Sequence, residues 1–213
     1  MTYLQLVNKI LIRLRENEVT SVSQTPYSKL IGEFVNVVKR EVEDTWNWAA
    51  LRTTVSVSTT ATFYSYELTG ATPRSRVLDV FNDTDNYEMK YQTTYWFDRQ
   101  FQGNDPQSGS PAFYNFNGVS NDGDNLVDVY PIPDGSYSLR FNILRPQADL
   151  DDDADELLIP YTVVVEGALA RAISERGDDG GYTEQEQRYN RILSDYIAIE
   201  AGSRPDETIW YPV

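Results

Sequence analysis

The sequence predicts an α+β protein: a four-helix bundle formed by N- and C-terminal helix pairs, with an antiparallel β-rich domain inserted between them. Three observations predict it. Apolar residues recur at spacings of three and four at both ends of the chain, and Thr, Val, Tyr and Phe alternate with polar residues through the middle. Turn residues stand at short intervals through that middle zone. The divisions fall at residues 1–52 (helix hairpin), 53–157 (β-rich insert with an acidic linker), 158–204 (second helix pair) and 205–213 (extended tail).

The first helix opens at Thr2-Tyr3-Leu4-Gln5. This is a capping box, in which Thr2 and Gln5 satisfy free backbone N–H groups reciprocally. Leu4, Val7, Leu11 and Leu14 then form one stripe. Thr25-Pro26 starts the second helix, a cap followed by proline in the first turn, where its missing N–H costs nothing. Ile31, Phe34, Val35, Val38, Val42 and Trp46 carry one face towards Leu51, and the two helices are expected to pack as an antiparallel hairpin. In the insert, Val55 and Val57 alternate with polar residues, as do Tyr64, Tyr66 and Leu68. Asn125–Tyr130, the turn 131–135 and Ser136–Leu144 read as a hairpin. Pro160 opens a third helix with Tyr161, Val164, Val165, Ala168, Leu169 and Ala172 on one face, and Gly177 stops it. Thr183-Glu184-Gln185-Glu186 reads as a further capping box, leading to Tyr189, Ile192, Leu193, Tyr196 and Ile197 before Gly202 and Pro205.

Two zeros in the composition remove whole classes of chemistry. The 213 residues contain no Cys and no His. Thiolate nucleophiles, disulfides, Cys-ligated metals and every mechanism built on imidazole are therefore excluded. Neither a phosphate-cradling GxxxxGK[ST] motif nor GxGxxG is present, and no cofactor is expected. With 33 Asp+Glu against 18 Lys+Arg the formal net charge is −15, which opposes tight wrapping of nucleic acid but does not exclude a duct that DNA crosses without sticking. The mean hydropathy of −0.49 and the lack of a long apolar run predict no membrane span. No secretory signal is visible, so a soluble protein made in the cytosol is expected.

What remains is carboxylate chemistry, hard cations on oxygen, and binding. Asp149, Asp151 and Asp153 have the alternation of a calcium loop. Ala154 nevertheless stands where the turn needs Gly, and Pro160 where a bidentate Glu is needed. The stretch 149–156 therefore reads as a solvated linker, with an ion site as the alternative. Asp83, Asp85 and Glu88 read as turn residues. A carboxylate-pair glycosidase would need neither His nor Cys, but only the abundance of acids speaks for it. No catalytic and no metal-ligating residue is assigned. The aromatics admit two readings. Tyr95-Trp96-Phe97 and Phe113-Tyr114 are candidate interface residues, in a protein contact or in a carbohydrate- or receptor-binding face, and the competing reading is sheet core. Ile209, Trp210, Tyr211 and Val213 follow a helix stop without a periodicity that would bury them. They must fold back, dock onto another chain or stay exposed, and they are the primary interface candidates.

Several of these pieces occur together in one family. The chain resembles the head–tail adaptors of short-tailed bacteriophages, the tail tubular protein A group. The resemblance rests on Thr2-Tyr3-Leu4-x-Leu6-Val7-Asn8, Arg40-Glu41 followed by Trp46-Asn47-Trp48, and Gly109-x-Pro111-x-x-Tyr114. It continues with Val129-Tyr130-Pro131-x-Pro133-Asp134-Gly135, Leu150-x-x-Asp153, and Leu158-Ile159-Pro160 leading into Gly167-Ala168-Leu169-Ala170. It implies a virion structural protein without catalysis, a ring (usually of twelve copies) between the portal protein and the tail nozzle protein. Duplex DNA would pass through that ring during packaging retention and ejection. The last ten residues lie outside the matched pieces.

Overall fold

The computed structural model describes residues 1–102, 106–177 and 181–203. These residues divide into two compact units: Met1–Leu51 with the chain from Gln147 onward, and Arg52–Pro146.

The helical unit contains α1 (Tyr3–Arg13), α2 (Pro26–Thr45), α4 (Tyr161–Arg176) and α5 (Tyr182–Gly202), with α3 (Thr94–Phe101) lying in the other unit. Both expected N-terminal caps form. Thr2 and Gln5 close a capping box on α1, and Thr25 and Ser28 do the same on α2 with Pro26 in the first turn. Gly177 ends α4 in the left-handed region at φ 70°. The Thr183 cap does not form: α5 begins at Tyr182, after Gly181, with no side-chain cap.

The helices do not build the predicted bundle of an N-terminal and a C-terminal pair. In such a bundle every helix has one buried stripe and one wet face. Here Val163 through Ala170 of α4 are buried without a break, so α4 is enclosed on all sides. Its main neighbours are α1, α2 and α5. By contrast α5 has no buried residue, and its Tyr189, Ile192, Leu193, Tyr196 and Ile197 are only half-buried against α4, its main neighbour. The arrangement is a central helix with an outer fifth helix laid along it. Small residues allow the close contact: a Cβ at Gly167 would stand 2.7 Å from Val38 Cγ1 and 2.9 Å from Tyr189 Cε2.

The strand unit holds two four-stranded sheets. In the first the order is β1 (Arg52–Ser58), β8 (Ser138–Leu144), β3 (Arg76–Asn82) and β4 (Tyr87–Glu88), all antiparallel. In the second it is β2 (Ser65–Leu68), β7 (Asn125–Tyr130), β6 (Phe113–Val119) and β5 (Lys90–Tyr91). The β5–β6 pair is parallel, so the insert is mixed and not purely antiparallel as predicted. Leu139, Phe141, Ile143 and Val80 of the first sheet share a core with Leu68, Val127, Val129 and Tyr114 of the second. The alternation of Val55, Val57 and Tyr66 follows from facing that core.

The expected Asn125–Leu144 hairpin is absent, because β7 and β8 lie in different sheets. Pro131 and Pro133 supply no N–H to a ladder. The backbone of Ile132 instead exchanges hydrogen bonds with the 107–109 loop: Ile132 N–H donates to Gln107 O (2.9 Å) and Gly109 N–H donates to Ile132 O (2.9 Å). The connection therefore carries the chain from one sheet to the other.

Candidate interaction surfaces

The acidic stretch leads into the helical unit as a docked segment. Leu150 is buried, and its backbone is clamped by Asn36 of α2: Leu150 N–H donates to Asn36 Oδ1 (2.9 Å), and Asn36 Nδ2 donates to Leu150 O (3.1 Å). Its carboxylates serve as local acceptors. Asp155 accepts from the N–H groups of Asp151 and Asp152 (2.9 Å each), and Asp153 accepts from Val22 N–H (2.8 Å). Asp149 pairs with Arg40. Among the described residues no three acidic side chains are gathered closely enough to hold a metal ion.

Just upstream, Lys39 and Glu43 lie one turn apart on α2 and are both fully buried. Lys39 Nζ donates to Gln147 O (2.7 Å) and lies 3.3 Å from Glu43 Oε1, which also accepts from Gln147 N–H (3.2 Å). Two opposite charges thus grip both backbone groups of the residue at which the chain returns from the strand unit. Sequence reading passed over this pair. The signal was present, since residues 35, 38, 39, 42 and 43 fall on one helical face and two of them are charged.

Glu166 plays a similar part between α1, α4 and α5. It accepts from Arg13 Nη1 (2.8 Å) and Gln185 Nε2, with Arg188 at 3.4 Å. Burial alone would raise its pKa, but the hydrogen bonds from Arg13 and Gln185, with the charges of Arg13 and Arg188, hold it below the usual carboxylate range.

Between the start of α1, the start of α2 and residues 150–153 lies a cleft of about 350 Å³, lined among others by Tyr3, Lys29, Glu33 and Asp151–Asp153. Tyr3 is only 5% exposed. Its ring crosses Gly32 of α2, where an added Cβ would overlap the phenol oxygen. That contact explains a glycine inside a helix, which otherwise costs about 1 kcal/mol relative to Ala. Burial, then the negative charges of Glu33, Asp151, Asp149 and Asp153, push the Tyr3 pKa up to about 12. A raised folded-state pKa means stability is fully present below pH 10 and is lost as pH rises towards 12. Unfolding free energies of the protein and of Tyr3→Phe are therefore expected to diverge between pH 10 and pH 12. The unsubstituted chain should lose about 2–3 kcal/mol more across that window, and parallel curves would contradict the assignment.

The aromatic candidates separate. Tyr114 is buried in the inter-sheet core, edge-on to Phe141 (centroids 6.1 Å). Phe97 of α3 is buried, and Trp96 packs on Phe113 (4.9 Å) and Tyr130 (5.5 Å), so α3 is held to its sheet by rings. Trp96 and Phe113 remain half-buried, while Tyr95 is 72% exposed. The sequence gives no expectation of this helix, because its eight residues lie within a zone whose overall composition is that of strands.

The family comparison decides the affiliation: the family described as SU10 adaptor protein matches residues 1–209. The chain belongs to the SU10 adaptor protein family. That agrees with the resemblance to phage head–tail adaptors drawn from the sequence. No curated relative matches the chain. Among the described residues of this SU10-family adaptor, no helix is long and apolar enough to cross a membrane. The primary interface candidates Ile209, Trp210, Tyr211 and Val213 lie outside the described residues.

Proposed function

We propose that the protein is a structural adaptor in the neck of a short-tailed phage virion, joining the portal protein to the tail nozzle protein. In this reading it forms a ring, with twelve copies expected, around the channel through which duplex DNA passes. It does so without catalysis or a cofactor, and it helps retain packaged DNA until ejection. The observation that carries the reading is the adaptor-family match along nearly the entire chain. The net charge of −15 supports it, because a negative lumen repels phosphate and favours passage over binding. The aromatics bear against the carbohydrate- or receptor-binding alternative: Phe97 and Tyr114 are buried.

Attachment is assigned to the apolar end of the chain, with Trp210 as the central anchor of a kind that dominates interface energies. Tyr95 is a second contact, with the half-buried Trp96 and Phe113 beside it. Purified portal rings test this assignment. The full chain is expected to cosediment with portal, and a chain truncated after Arg204 is expected to stay in the supernatant with nearly the same melting temperature. Truncation that destabilises the free protein but leaves cosedimentation intact would place the segment in the fold and refute the assignment.

A further inference from the structure

The cleft beside Tyr3 has the chemistry of a receptor for a cationic side chain. Four carboxylates border it, those of Glu33, Asp151, Asp152 and Asp153, against the single ammonium of Lys29. Asp153 already spends one oxygen on Val22 N–H. The Tyr3 phenol lines the cleft from a side chain that is 95% buried, and its hydroxyl makes no hydrogen bond among the described residues. A phenol in that position has both a donor and an acceptor to offer. Gly32 keeps the space the hydroxyl occupies open, since any larger residue would displace it.

We propose that this cleft binds an arginine side chain presented by a partner protein. A guanidinium is planar, carries five N–H donors in a fixed fork, and can reach carboxylates on two sides at once. It would donate to Glu33 from α2 and to Asp151 or Asp152 from the docked segment. Tyr3 would accept one N–H and turn its own O–H towards a carboxylate. A compact divalent ion fits the same residues poorly. It needs several oxygens about 2–2.6 Å from one point, and among the described residues no three acids converge in that way. An extended, forked cation matches dispersed carboxylates. Burial first, and then the charges of Glu33 and the nearby Asp residues, raise the Tyr3 pKa, and that second contribution has the sign that favours a cation.

The proposal goes beyond the adaptor reading and can be tested without portal or tail, on the full chain alone. The probe is N-acetyl-arginine amide, titrated while the amide resonances of Tyr3 and Gly32 are followed by NMR. N-acetyl-citrulline amide, its neutral isostere, and calcium chloride serve as the comparison arms. The expected result is a saturable shift with the arginine probe at millimolar concentration, and at least tenfold weaker binding of the citrulline probe. Glu33 and Asp152 are exposed, so Glu33→Gln with Asp152→Asn should fold normally and bind the arginine probe at least tenfold more weakly. Tyr3→Phe removes only a hydroxyl without a partner, so it should keep the melting temperature and weaken binding severalfold. Three outcomes overturn the proposal: no saturable shift, equal binding of both probes, or saturation by calcium at lower concentration than by arginine.

Discussion

Replacing Phe141 by Ala is expected to destabilise the strand unit by about 3–5 kcal/mol. Phe141 is fully buried on β8, which has β1 on one side and β3 on the other, and its register partners there are Val55 and Val80. Tyr114 of the opposite sheet packs edge-on against it, a geometry that adds about 0.5–1.5 kcal/mol to the burial term. Truncation would remove contacts to both sheets at once, leaving a cavity that neither β-sheet can close alone. Urea unfolding followed by tryptophan fluorescence and near-UV circular dichroism measures the loss. A cost under about 1 kcal/mol would mean that the two sheets are not joined through this residue.

The second large effect is expected at the buried charge pair. Glu43→Leu should cost about 3–5 kcal/mol, because the Lys39 ammonium then stays in the interior without its nearest carboxylate. Lys39→Met with Glu43→Leu should recover part of that loss, since no unpaired charge then stays buried although Gln147 N–H and O lose their side-chain partners. The order of the two variants is the informative part. A double variant less stable than the single one would mean that Lys39 is held mainly by Gln147 O and Asp149.

Local signals survived into the structure where short-range chemistry determines the outcome. Thr2 with Gln5, Thr25 before Pro26, Pro160 and Gly177 all mark helix ends as their hydrogen-bonding and dihedral preferences require. Tertiary arrangement was less legible. Tyr161, Val164, Val165, Ala168, Leu169 and Ala172 read as one stripe, yet the eight successive residues Val163–Ala170 are apolar, small or paired and belong to a helix enclosed on all sides. Asn125–Leu144 reads as a hairpin because a turn-rich stretch at 131–135 joins two strand-like runs, and that pattern does not specify which strand becomes the neighbour. At the cleft, the acids of 151–153 were visible, but Tyr3 and Gly32 are distant in sequence from them and only the packing of α1 on α2 brings them together.

Particle mass is the most direct test of the central claim that this chain is a portal-to-tail adaptor. Mass photometry of the 24.4 kDa protein, alone and mixed with portal rings of the same phage, reads it out. The account predicts that portal particles gain the mass of a complete ring of adaptor copies, in one discrete step, while portal mixed with the chain truncated after Arg204 gains none. Portal particles of unchanged mass beside free full-length chain would contradict it.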